Sequence, residues 1–302
     1  MSNQNEPMTA GPAEEITLAA RRRRGAFSAA MHEVLKAPPT AKFGLIMIFA
    51  YLFVAVFAPL LAPYGEAEVV GRQYAPWSDE FVLGTDQIGR DMLSRLIFAA
   101  RNSVSIAFLT TLIAFLLGSM LGLLSAVVGG WIDQGLGRLV DVLMAIPSLI
   151  FTLVLLTIFG TDLITLILVI ALFDATRVYR LSRAVAVNVV VMDFVEAARL
   201  QGEKLPWIMA REVLPNILPP LAAEFGLRFT FVFLTIAALS FLGLGIQPPT
   251  ADWGSMVREN ATLINYGDIT PLLPAAAIAL LTVSVNFVVD WFLHKTSGLR
   301  DV

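Results

Sequence analysis

The chain has no cysteine among its 302 residues and only two histidines, His32 and His294. Without cysteine there is no disulfide staple and no thiolate metal site. No H-E-x-x-H pair and no G-x-S-x-G elbow occurs, so hydrolytic or metal chemistry has no visible machinery. No glycine is followed by lysine, so the phosphate cradle G-x-x-x-x-G-K-[ST] is missing. Any nucleotide hydrolysis that drives this protein must sit on another chain. Charge is scarce as well. Only 15% of residues are charged and the net charge is −3, too little of either sign to argue for nucleic-acid binding.

Hydrocarbon fills the chain instead. Apolar residues make up 57% of it and the mean hydropathy is +0.75. A soluble domain holds about 45–50% apolar and about 25% charged residues. The expectation is an all-α polytopic membrane protein. A hydrocarbon core of about 30 Å needs about 20 apolar residues per helix. Six runs satisfy this: 43–61, 104–130, 142–161, 163 to about 182, 218–245 and 269–289. The fourth spans only if it continues past Asp174, and the fifth carries Glu224 and Arg228 within it.

Six spans put both ends on one side, and the basic residues choose which. With the N-terminal segment inside, fifteen of the twenty-one lysines and arginines lie inside, five outside, and Arg228 within a span. The excess belongs in the cytoplasm. The expected organisation is a cytoplasmic tail (1–40), a first span (41–63), and a periplasmic segment with an amphipathic helix (64–102). A five-helix core (103–295) follows, with an interior loop at about 184–216, then a cytoplasmic end (296–302). The tail is polar, lacks the apolar core of a secretory signal, and carries Arg21, Arg22, Arg23 and Arg24 as a topology signal.

Three extramembrane stretches stand out. In the interior loop, 191–201 favours helix and contains Glu196, Ala197, Ala198 and Arg199. Gly202 can take the left-handed conformation that ends a helix, and Pro206 suits the first turn of the next. Trp207, Ile208, Met209, Val213 and Leu214 give that second helix an apolar surface. Pro215 is expected to stop it, with Pro219 and Pro220 opening the fifth span. Such a helix either docks a partner or lies on lipid headgroups. In 83–95, Asp86 is expected to cap a helix whose Met92, Leu93, Leu96 and Ile97 line one face, with Arg90, Asp91, Ser94 and Arg95 elsewhere. That helix should lie on the outer membrane surface and lead into span 2. In 240–250, Gly243 and Gly245 weaken the helix end, and Pro248 and Pro249 prevent its resumption.

The string Glu196-Ala197-Ala198, then Gly202, then Leu214-Pro215, resembles the EAA loop of ATP-binding-cassette importer permeases. With Leu83 to Arg95 and Ser240 to Thr250, it is similar to the DppC/OppC family of dipeptide, oligopeptide and nickel permeases. The resemblance covers roughly residues 40–301. It implies a MetI-like type I importer permease fold of six transmembrane helices in the bacterial inner membrane. It implies translocation of peptides or related small solutes and no catalysis on this chain. The implied partners are a second, DppB/OppB-like permease, two ATPase subunits carrying ATP and magnesium, and a solute-binding protein. This chain itself would hold no cofactor or metal. Glu196, Ala197, Ala198, Gly202, Leu214 and Pro215 are the implied coupling residues. The alternative class is a gradient-driven secondary transporter, which would show internal repeats and broken helices around a midplane ion site.

Charges at bilayer depth mark cavities or partners. Glu224 and Arg228 are four apart, so they share a helix face and either line the translocation path or pair toward a neighbouring helix. Asp141 is a third candidate for the path, or a boundary charge. Gly118 and Gly122 form a G-x-x-x-G expected to bring two helices close.

Overall fold

The structure is a computed structural model that describes residues 34–296. The N-terminal arginine run and the C-terminal segment expected in the cytoplasm lie outside those residues. Helix α1 (Pro39–Leu61) starts with proline at its first turn, where the missing N–H is harmless. A long loop, 62–91, leads to α2 (Met92–Val128), α3 (Gly130–Met144), α4 (Ser148–Phe159) and α5 (Leu163–Val190). Then come α6 (Asp193–Leu200), α7 (Leu205–Phe241), α8 (Trp253–Asn260) and α9 (Leu272–Thr296).

Four of these, α1, α2, α7 and α9, are long and apolar enough to cross a membrane. A fifth span is counted if α3 and α4 are taken together, but that pair bends by 88°. The run 142–161, expected as the third span, is therefore interrupted near Pro147. Pro147 cannot continue α3, and it disfavours helical geometry at Ile146 before it. The 12 residues of α4 reach about 18 Å at the helical rise, short of a bilayer core. Helix α5 is long, with 28 residues, but holds Asp174 near its middle and Arg177, Arg180 and Arg183 in its second half.

The helices meet through small residues, as expected where lipid is no worse a solvent for leucine than protein. Gly118 and Gly122 both press α2 onto α5. A Cβ on Gly118 would stand 2.5 Å from the Ala175 carbonyl oxygen, and one on Gly122 would stand 2.8 Å from that of Tyr179. Gly44 brings α1 equally close to the Ser284 carbonyl of α9. Among the described residues two large apolar cores result, with a small alanine cluster (Ala114, Ala171, Ala175) between α2 and α5. One gathers Met92, Phe233, Leu239, Trp253 and Met256 at the end where α2 begins. The other gathers Leu123, Val127, Val195, Ile208, Val213 and Ile217 at the end where α2 finishes.

Two further expectations change. Asp91, not Asp86, caps α2, accepting from the Ser94 N–H at 2.7 Å. Residues 92–102 are not a separate surface helix but the first turns of a continuous 37-residue one. Its polar residues face inward: Arg90, Asp91, Ser94 and Arg95 are all buried. Likewise Pro215 does not end a short helix. The ladder widens to a π-turn over Ile208–Val213, where the Leu214 N–H reaches the Met209 carbonyl. A widened turn leaves room for the proline ring that follows. The chain then runs unbroken through Pro219 and Pro220 to Phe241.

Candidate functional site

Three polar assemblies sit in this frame. The first is the loop between α5 and α7. Helix α6 opens with Asp193 and Glu196 in its first turn and closes with Arg199 in its last, as the helix dipole favours. Its end is a Schellman cap. The Glu203 N–H donates to the Ala198 carbonyl at 3.1 Å, and the Gly202 N–H donates to that of Arg199 at 3.0 Å. Gly202 sits at φ +83°, the left-handed backbone that its position suggested. Lys204 then occupies the N-cap position of α7, with Pro206 in its first turn.

The loop shows one face and hides the other. Val195, Ala198, Ile208 and Val213 are buried in the second core. Val191, Met192, Phe194, Leu200, Leu205 and Trp207 are exposed, Leu200 by 83%. The apolar surface expected on Ile208 and Val213 thus belongs to the residues around them. Glu196, Ala197, Gly202 and Pro215 are exposed, while Leu214 is half-buried. The Arg199 guanidinium donates to the Val127 carbonyl at 3.1 Å, tying α6 to the last turn of α2. Beside that turn, Ser125 shares a hydrogen bond of 2.8 Å with the Tyr179 hydroxyl and another with Asp133. Both Asp133 oxygens accept from Arg183 of α5. Helices α2, α3, α5 and α6 are thereby locked at one end of the bundle.

The second assembly lies within the bundle. Glu224 and Arg228 pair on α7 at 2.7 Å, as their spacing predicts. Arg228 also reaches Asp174 of α5 at 3.6 Å, and Asp174 accepts from Arg177 at 3.2 Å. Two acids and two bases therefore bridge α5 and α7. Asp174 is buried, and its Oδ2 has no protein partner. Arg228 also stands over the Phe231 ring at 4.9 Å, and Arg177 over Phe173 at 5.7 Å. Asp141 is not part of this group. It is exposed on α3. In the sequence Asp174 is only a charge that the fourth apolar run must pass. Nothing in the spacing shows that α5 lies against α7.

The third assembly joins 62–91 to α8 at the opposite end. Asp86 is fully buried and meets Arg90 at 2.7 Å and Arg95 at 2.6 Å. Glu259 of α8 meets Arg95 at 2.8 Å and Arg90 at 3.3 Å. Burial disfavours the charged form of Asp86, but the backbone N–H groups of Arg90 and Ile88 and the two guanidinia outweigh it. Its carboxyl is held below the usual carboxylate range. Asp252 caps α8 through the N–H groups of Gly254 and Ser255, and burial pushes its carboxyl above that range. Glu66 accepts from Asn102 at 2.9 Å and from the Ala251 N–H at 3.0 Å, pinning the loop to α2 and to the segment that leads into α8. Among the described residues, no group of three or more His, Asp or Glu could hold a metal ion.

These features define a multi-span α-helical membrane protein with ionic contacts stored between its helices and a loop of exposed apolar residues at one end. Residues 115–295 match the family described as the binding-protein-dependent transport system inner membrane component. Residues 31–76 match the N-terminal transmembrane domain of oligopeptide transport permease C. The chain belongs to this family of inner-membrane transport permeases, whose members are transport components rather than catalysts. It is similar to the dipeptide transport system permease protein DppC of Alkalihalophilus pseudofirmus, with 34% identity over 269 residues, 88% of this chain and 86% of that one. It is 36% identical to the di/tripeptide transport system permease protein DppC of Pseudomonas aeruginosa over 266 residues, 85% of each chain. The glutathione transport system permease protein GsiD of Pectobacterium atrosepticum is 29% identical over 263 residues, 85% of this chain and 83% of that one.

Proposed function

We propose that the chain is the permease subunit of an ATP-binding-cassette importer that moves peptides or related small solutes across the inner membrane. In this reading it has six spans, with α5 and the bent α3–α4 pair completing the count, and both termini are cytoplasmic. It pairs with a second, homologous permease, receives solute from a binding protein, and rests on two ATPase subunits that carry the ATP and magnesium. The relatives named for dipeptides, di/tripeptides and glutathione support peptides as the solute class.

One observation carries the mechanism. Trp207, in the exposed loop, and the Glu224–Arg228 pair lie on the same unbroken 37-residue helix, about 55 Å long at the helical rise. A partner that grips the 191–207 face and moves would carry α7 with it. That motion strains the contacts of Arg228 with Asp174, so the cluster between α5 and α7 is the joint that opens and recloses. Alternating access then follows from rigid-body motion of α7 against α5. Glu196, Ala197, Ala198, Gly202, Leu214 and Pro215 set the shape of the gripped surface, and Glu224 and Arg228 line the path.

The test is to purify the chain gently from its native membrane through a C-terminal tag and identify what comes with it. Companion ATPases and a second permease, together with ATP-dependent uptake in proteoliposomes, are expected. A chain that purifies alone and moves solute on an ion gradient refutes the reading.

A further inference from the structure

The geometry points to a phospholipid-binding groove on the lipid-facing side of this chain, formed where α1, α2, α7 and α9 meet. A cavity of about 710 Å³ opens there, lined from α1 by Tyr51, Leu52 and Val56, from α2 by Arg101 and Phe108, and from α7 by Phe229. That is the size of a pocket for a substantial ligand.

Its chemistry selects the occupant. The lining is almost wholly hydrocarbon and aromatic. Its two hydroxyls are already committed: Tyr51 donates to the Ala277 carbonyl at 3.0 Å, and Ser105 donates to the carbonyl of Arg101. A peptide, with two charged termini and a polar backbone, would find no partners for most of its groups. An acyl chain needs none.

The one charge on the lining is placed for a headgroup. Helix α2 is about 55 Å long, well beyond a core of about 30 Å, so one end must project. The charged first turns of α2, ending at Arg101, are the projecting end, because 102–132 holds no charge. Arg101 therefore sits at the boundary where the uncharged run begins, the depth of lipid phosphates. It is exposed, and among the described residues its guanidinium has no hydrogen-bond or ion-pair partner. From there the groove runs down α2 past Ser105 to Phe108, about 10 Å at the helical rise, alongside the middle of α1. An anionic phospholipid fits, with its phosphate on Arg101 and one chain between the four helices. The inference needs only that these helices span a membrane, and it is independent of how the loop couples to partners.

The test uses the whole complex as purified, reconstituted in nanodiscs with equal phosphatidylglycerol and phosphatidylcholine, then released into mild detergent for native mass spectrometry. The wild type should retain a bound lipid and favour phosphatidylglycerol about fivefold, the effect of about 1 kcal/mol for one basic residue at an anionic surface. Arg101→Gln should keep a lipid but lose the preference. Ser105→Phe fills the groove from an exposed position and should lose the lipid. Leu52→Trp repeats that block from α1, should Ser105→Phe fail to assemble. Unchanged lipid retention in the assembled blocking variants overturns the inference. So does a disulfide between Ser105→Cys and a cysteine placed in the companion permease, because the groove would then be a protein interface.

Discussion

Gly202 offers the most direct test of the loop. Its φ of +83° belongs to the left-handed region, and a Cβ built there meets nothing within 4 Å. The penalty of substitution is therefore backbone conformation alone, with no steric clash to confuse it. A non-glycine residue held in this region costs on the order of 1–3 kcal/mol, with asparagine the best tolerated and β-branched residues the worst. Taking ~2 kcal/mol for Gly202→Val, the native turn falls about 30-fold in population relative to alternatives, at 1.4 kcal/mol per tenfold. Losing it releases the two Schellman hydrogen bonds and the direction in which α7 leaves α6. The assay is solute uptake and ATP hydrolysis by the reconstituted complex, with membrane insertion checked by the amount of intact chain. Gly202→Asn should retain most uptake, Gly202→Ala should be intermediate, and Gly202→Val should lose most uptake while still inserting normally. Wild-type uptake by Gly202→Val, or an asparagine variant as impaired as the valine one, would refute the reasoning.

Gly118→Val forces a side chain against the Ala175 carbonyl and Val178, so overpacking should destabilise the bundle by at least about 1–3 kcal/mol; thermal unfolding in detergent measures it. Asp86→Asn leaves Arg90 and Arg95 facing Glu259 alone in a buried site, which should cost about 3–5 kcal/mol at neutral pH. Because the Asp86 carboxyl is lowered on folding, its contribution is present above the ordinary aspartate range and is lost as pH falls through its folded value. Wild-type stability should thus hold to about pH 4 and drop below it, and Asp86→Asn should flatten that acid limb in a pH series of melting temperatures. Arg228→Ala strips Glu224 of its pair and Asp174 of one of its two cations, and should cut uptake at least tenfold. Asp141→Asn, which lies outside the cluster, should leave uptake within twofold; equal losses in the two variants would remove the cluster from the path.

Hydropathy made the membrane class legible, because every residue of a span must satisfy the same solvent and the signal accumulates along the run. Local backbone features were legible too. Gly202 ends α6, Pro206 starts α7, and Glu224 reaches Arg228, since each depends on neighbours four or five residues away. The glycine pair on α2 announced a close contact but not its partner, α5.

Where local signals conflicted, only the assembled chain could decide. Pro147 breaks a run that hydropathy reads as continuous, whereas Pro215, Pro219 and Pro220 do not break theirs, because a π-turn and packing on the second core compensate. The face of Arg90, Asp91, Ser94 and Arg95 looks solvated in sequence but is the buried one, because Glu259, more than 160 residues away, supplies the opposing charge. The same holds for Asp174 and Arg228, which come together only when α5 packs on α7. The sequence by itself determined the membrane class and the most local features, the Gly202 turn and the Glu224–Arg228 pair. Tertiary structure alone decided which charges meet, because an ion pair across helices depends on packing that no local pattern encodes.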